Sequence, residues 1–221
     1  MNIAIVGASG LVGGILLDLS LKDEKIDKIF SFGRRSLEIN HPKIHHKKMD
    51  LFFLEEENLK DMEISCFYCC IGTTVKKTPN KETYRKIDLG IPLAVAKLCK
   101  KFQIPQIQVI SALGANPKSK IFYNQLKGEM EEKVMELNIS KTYILQPSLI
   151  FGKRKESRFG EAFASYAFKT FSFLFIGNLK NYKGIEAKDI AICMNRLLHF
   201  KYPSGRINSM EITKIARFQN A

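Results

Sequence analysis

The apolar run Ile3-Ala4-Ile5-Val6 flows directly into Gly7-Ala8-Ser9-Gly10-Leu11-Val12-Gly13. A strand that ends in glycines and turns at once into a helix is the opening of a dinucleotide-binding βαβ unit. Gly7 makes the tight turn. Gly10, lacking a Cβ, lets backbone approach a pyrophosphate, and Gly13 lets helix and strand pack closely. The N–H groups around Ser9, Gly10, Leu11, Val12 and Gly13, with the positive end of the helix dipole, then suit phosphate oxygens. The spacing is Gly-x-x-Gly-x-x-Gly, a relative of the commoner Gly-x-Gly-x-x-Gly.

At 221 residues, 45% hydrophobic and 26% charged, the chain suits one globular domain. We read a single NAD(P)-binding domain over 1–221, with a cofactor-binding core over 1–150 and a substrate-side appendage over 151–221. The apolar stretch 3–21 resembles a signal peptide or membrane span, but it lacks a basic flank, is interrupted by four glycines and contains Asp18. With no other span-length segment, the expected location is the cytoplasm. Five cysteines at this length do not make a disulfide framework. Cys66 and Cys69 lie three apart in a strand-like run, so their thiols point to opposite faces and read as core, not as a redox or metal pair. The net charge of +13 is spread among scattered lysines and arginines, not a basic stripe with interleaved aromatics. It fits a solvated surface that focuses an anionic cofactor, and nucleic acid is not expected as a partner.

Strand and helix signals alternate. Strands are expected over 2–6, 28–32, 44–49, 66–71, 107–110 and 141–145, and a late one over 207–212. Helices are expected over 11–21, 81–101, 122–137 and 185–200, with Asn80 as an N-cap and a bend or break at Pro92. This alternation implies a doubly wound parallel sheet of the Rossmann type, with ligand at the C-terminal ends of the strands. Residues 159–176 are dense in phenylalanine and tyrosine. A packed helix and turn is the ordinary reading, while a lid over an apolar pocket, a dimer surface and a membrane-surface helix are alternatives.

Three residues downstream carry chemistry. Ser111 ends the apolar strand Ile107-Gln108-Val109-Ile110, and Tyr123 and Lys127 stand four apart on one helical face. A phenol with a pKa of about 10 is a poor acid-base group at neutral pH, and a nearby ammonium lowers it. Tyr123 then donates the proton as a hydride reaches a carbonyl carbon, Lys127 tunes it and holds ribose hydroxyls, and Ser111 orients and polarises the carbonyl.

Taken with these motifs, Gly33-Arg34-Arg35, Ile71-Gly72-Thr73-Thr74, Ser111-Ala112-Leu113-Gly114-Ala115, Tyr123-Asn124-Gln125-Leu126-Lys127-Gly128-Glu129, Gln146-Pro147-Ser148 and Glu156-Ser157-Arg158-Phe159-Gly160-Glu161 resemble an atypical short-chain dehydrogenase/reductase, in the branch typified by the Tat-interacting-protein oxidoreductases. The resemblance spans nearly the whole chain. It implies a Rossmann fold, bound NADP(H) and a Ser-Tyr-Lys triad, but no one substrate. It also implies that Asp50-Leu51 contact adenine and that Gly72, Thr73 and Thr74 run beside the pyrophosphate and nicotinamide ribose. One departure stands out. Many family members carry asparagine in the helix after the fourth strand, where a proton relay passes, and this chain has Asp88 there. Either Asp88 acts differently or catalysis is weakened.

The residues themselves argue for the cofactor. NAD-preferring sites usually place an acid at the end of the second strand, to hold the ribose 2′-OH. Here that strand ends Phe32-Gly33-Arg34-Arg35, and two guanidiniums suit a 2′-phosphate. NADP(H) is therefore expected over NAD(H), with a small carbonyl or alcohol as substrate. A binding role with little turnover, through a protein partner or a homo-oligomer, is the rival reading. His45-His46 lacks metal-ligand spacing and reads as solvent-facing; Lys153-Arg154-Lys155 reads as a charged loop.

Overall fold

A computed structural model of the protein describes residues 1–152 and 184–218. The aromatic stretch 159–176, the Glu156–Glu161 motif and the basic loop at 153–155 lie outside these residues.

The chain has a Rossmann-type α/β fold. Seven parallel strands form the central sheet: β1 (Asn2–Val6), β2 (Lys28–Gly33), β3 (Ile44–Lys48), β4 (Ile64–Cys69), β5 (Gln106–Ile110), β6 (Lys141–Gln146) and β9 (Gly205–Asn208), in the order β3-β2-β1-β4-β5-β6-β9. Two short strands, β7 (Ile150–Phe151) and β8 (Ile185–Glu186), pair separately. The order reverses between β1 and β4, and it is outside the C-terminal ends of those two strands that an open sheet of this kind leaves a crevice.

Alternation along the strands fills both faces. Ile3, Ile5, Tyr68 and Leu145 pack against α1 (Leu11–Lys22) and α5 (Ala187–His199) through Leu16, Leu17, Ile190 and Met194. Ala4, Val6, Phe67 and Val109 pack against α3 (Ile91–Lys101) and α4 (Phe122–Met135) through Val95, Cys99, Leu126 and Met130. Cys66 belongs to the first of these clusters and Cys69 to the second, and all five cysteines are free. Burying both faces is what makes these strands near-continuous apolar runs.

Two local expectations change. The stretch 81–101 does not break at Pro92. It runs as α2 (Lys81–Arg85), capped by Asn80 accepting from the Thr83 N–H, then a π-turn at Lys86–Gly90, then α3 with the proline in its first turn. The widened turn absorbs the clash a proline ring makes with the carbonyl four residues back. The strand expected over 207–212 ends at Asn208, whose side chain accepts from the Met210 and Glu211 N–H groups while Glu211 accepts from the Asn208 N–H. This capping box starts a helix, α6 (Ser209–Arg217).

Candidate functional site

Gly7 leaves β1 at φ +89°, and a Cβ there would stand 2.6 Å from the Cys70 carbonyl oxygen. A Cβ on Gly13 would lie 2.2 Å from the Gly7 carbonyl oxygen, so the first turn of α1 rests directly on the glycine turn. Gly10 caps the helix and its N–H donates to that same carbonyl at 2.9 Å. Among the described residues no side chain caps α1 and no acid occupies its first turn. The helix start at Leu11, Val12 and Gly13 therefore brings its N–H groups and its partial positive charge to the crevice with no acid of its own, which fits a diphosphate.

The arginine turn is tied to this loop. Arg35 Nη2 donates to the carbonyl of the exposed Ser9 at 3.0 Å, and the Arg35 carbonyl oxygen lies 3.0 Å from His46 Nε2. A carbonyl only accepts, so Nε2 carries the proton, while Nδ1 faces Ser31 Oγ at 3.2 Å. His46 is thus a half-buried brace for the turn and not the solvent-facing residue its sequence context suggested. Arg34 beside it is exposed. Asp50 caps a short 3-10 turn, Leu51–Phe53, accepting from the Phe52 N–H at 3.1 Å, and Leu51 is buried in the α3–α4 face of the core. The Asp50 carboxylate is therefore already committed to backbone, and Leu51 is a packing residue.

Beyond β4, exposed Gly72 leads to Thr73, whose N–H donates to Asp88 Oδ2 at 2.9 Å and whose hydroxyl meets that of Thr78 at 2.8 Å. The Thr74 carbonyl accepts from the Lys77 and Thr78 N–H groups and closes the turn. Tyr84 donates its hydroxyl to the Thr73 carbonyl at 3.0 Å and meets the Tyr123 ring edge-to-face with centroids 6.4 Å apart.

Asp88 lies in the π-turn and is 1% exposed. Its Oδ1 is 2.9 Å from Lys127 Nζ, whose side chain is itself 3% exposed, and that ammonium also donates to the Ile110 carbonyl at 3.4 Å. Lys127 is thereby pinned to the end of β5, and Tyr123 lies one turn earlier on α4. Burial, and then the Asp88 carboxylate, hold the Tyr123 phenol well above its ordinary value of 10.0. The expected lowering by Lys127 is not what the site shows, because that ammonium is already matched by Asp88.

Ser111 follows β5 and is buried; its hydroxyl donates to Glu131 Oε1 at 2.5 Å. Glu131, 1% exposed, also accepts from Gln146 Nε2 at 2.9 Å on both oxygens and from Arg206 Nε at 2.6 Å. Sequence reasoning gave no site role to Glu131, Gln146, Arg206, Tyr84 or His46. Gln146 stood only within the Gln146-Pro147-Ser148 motif, and Glu131 left a local signal: it follows Tyr123 and Lys127 at the same four-residue spacing, so all three share one face of α4.

No family model matches the chain. It is 31% identical over 161 residues to "Protein FMP52, mitochondrial" of Debaryomyces hansenii, covering 72% of this chain and 70% of that protein. It is also 31% identical over 163 residues to HTATIP2 of Rattus norvegicus, covering 72% and 67%. Among solved structures, MoeE5 in complex with UDP-glucose and NAD matches with a TM-score of 0.72 at 14% identity, covering 94% of this chain and 75% of that one. UDP-N-acetylglucosamine 4-epimerase from Methanobrevibacter ruminantium, in complex with UDP-N-acetylmuramic acid, matches with a TM-score of 0.71 at 18% identity, covering 94% and 75%. At these identities the solved structures share the fold. The expected cytoplasmic location does not stand, because relatives from several yeasts are named mitochondrial. Among the described residues no helix is long and apolar enough to cross a membrane, which does not choose between compartments.

Proposed function

We infer the function of this chain from a premise that its relatives establish: it belongs to the family of the FMP52 and HTATIP2 proteins, an atypical branch of the short-chain dehydrogenase/reductases. It acts as an NADP(H)-dependent oxidoreductase on a small carbonyl or alcohol. The observation that carries this reading is the meeting of an acid-free glycine turn after β1 with Thr73 after β4 and with Ser111 and Lys127 at the end of β5. When bound, the nicotinamide supplies the hydride donor or acceptor.

The chain's own residues supply the rest. Gly7, Gly10 and Gly13 keep side chains out of the diphosphate's place, and the α1 N-terminus matches its charge. Thr73 and Thr74 line the path from β1 to β4. The Tyr123 phenol gives its proton to the carbonyl oxygen in reduction and takes it back in oxidation. Lys127 reaches the ribose hydroxyls from the floor of the crevice, and Ser111 orients the substrate. For the nucleotide 2′-phosphate, Arg34 and Arg35 offer charge-assisted donors where an NAD site would carry an acid. Replacing the exposed Arg34 with alanine, which leaves the Arg35 bond to Ser9 in place, is expected to weaken NADPH binding by about tenfold, the value of one hydrogen bond to a charged group, and to leave NADH binding nearly unchanged. Calorimetry with both nucleotides checks this; equal losses for the two would remove the NADP(H) preference. No uptake of either by folded wild-type protein would overturn the whole reading.

Asp88 gives a pH prediction. Reduction needs the protonated phenol, so its rate falls as pH rises through the Tyr123 titration. Burial holds that titration high and the Asp88 carboxylate adds to it. Asp88→Asn keeps an acceptor for the Thr73 N–H, removes the charge and leaves Lys127 free to favour the phenolate. The fall in reduction rate is expected at lower pH than in the wild type. A rate–pH profile that stays in place would show that Asp88 does not act on the phenol.

A second reading, an NADP(H)-binding regulatory protein with little turnover, is favoured by one feature: Lys127 and Ser111 are both engaged by buried carboxylates. Nucleotide binding without turnover across a carbonyl panel, with a protein partner whose affinity changes with nucleotide, would select it.

A further inference from the structure

A serine hydroxyl has one proton and two lone pairs, and a carboxylate only accepts. Ser111 spends its proton on Glu131 at 2.5 Å, a short charge-assisted hydrogen bond. Glu131 is held for that role from three adjacent strands: Ser111 after β5, Gln146 at the end of β6 and Arg206 on β9 all donate to it. With the carboxylate buried and each oxygen receiving two hydrogen bonds, its geometry is fixed and its charge is matched by Arg206. What Ser111 Oγ retains is acceptor capacity. A bare carbonyl offers only lone pairs, so it gains nothing from an oxygen presented this way. A substrate hydroxyl does.

We propose that Glu131 is a positioning residue that holds the Ser111 proton, so that Ser111 meets the substrate as an acceptor and selects carbonyl compounds with a hydroxyl on the neighbouring carbon. The inference rests on the oxidoreductase reading. The carbonyl oxygen takes the Tyr123 proton while the neighbouring hydroxyl donates to Ser111, and the two contacts fix which face of the carbonyl is presented. A site built to accept from a substrate hydroxyl discriminates strongly against the analogue lacking it.

The test uses the full chain with NADPH and two matched pairs: cyclohexanone with 2-hydroxycyclohexanone, and acetophenone with 2-hydroxyacetophenone. Wild type is expected to favour the hydroxyketone in kcat/KM by about tenfold or more, the value of a single good hydrogen bond. Glu131→Gln and Ser111→Ala are both expected to bring that ratio down by several-fold, with NADPH affinity unchanged. The hydroxyl's inductive effect on the carbonyl is the same for every variant, so the change in ratio carries the result. A purely structural role for Glu131 would lower stability and activity towards both members of a pair alike. Should Glu131→Gln fail to fold, Ser111→Ala carries the test, since it removes the accepting oxygen itself and leaves Glu131 its bonds from Gln146 and Arg206. A ratio that survives these substitutions, or a wild type with no preference, overturns the inference and leaves the oxidoreductase reading standing. A wild type that binds NADPH but reduces none of the four compounds overturns both.

Discussion

Replacing Tyr123 with phenylalanine is expected to lower kcat for carbonyl reduction by about 10²–10⁴-fold, the usual value of a positioned acid-base group, while NADPH affinity holds within about threefold. The ring remains, so its edge-to-face packing with Tyr84 survives. On the proposed reading the substitution removes the proton donor. Lys127 cannot replace it, because its ammonium is committed to Asp88 and the Ile110 carbonyl. Ser111 cannot either, since its hydroxyl already donates to Glu131. Steady-state kinetics beside nucleotide calorimetry separates the two effects. If the variant turned over as fast as the wild type, the acid would have to lie elsewhere and the assignment of the α4 face would be wrong.

Gly7→Ala is expected to destabilise the fold by about 2–6 kcal/mol and to abolish nucleotide binding. Two costs add. The residue holds φ +89°, where a side chain is strained, and its Cβ would lie 2.6 Å from the Cys70 carbonyl oxygen and 2.9 Å from the carbonyl carbon. Backbone on both sides has to move, and with it the α1 N-terminus that stacks on Gly7 through Gly13. Against a total stability of about 5–15 kcal/mol this is a large fraction. Gly10→Ala is the matched control. Gly10 has ordinary extended backbone at φ −85°, and its Cβ would lie 3.1 Å from the Gly7 oxygen, so only close contact is added. Urea denaturation of the two variants reads the difference; equal midpoints would show that the glycine turn is not strained.

Much of this was legible in the chain. The strand-to-glycine-to-helix opening is a local code, since turn conformation and helix start depend on a few consecutive residues. The same holds for Asn80 capping α2 and for Tyr123 and Lys127 sharing a face of α4. Errors came where two local signals competed. Residues 207–212 read as a late strand, but Asn208 and Glu211 supply a complete capping box and the helix wins. At Pro92 the widened turn at Lys86–Gly90 left the helix unbroken, and the same turn carries Asp88.

Sequence alone determined that this chain builds a parallel sheet with a glycine turn at its first crossover, and that Tyr123 and Lys127 share one face of a helix. Tertiary structure decided what those groups do to one another. Lys127 answers to Asp88, 39 positions earlier, Ser111 to Glu131, 20 positions later, and Glu131 to Arg206 on the outermost strand of the sheet beside β6. Protons and charges settle on whichever partner packing brings within about 3 Å, and that distance is set by how strands order and helices dock, not by spacing along the chain.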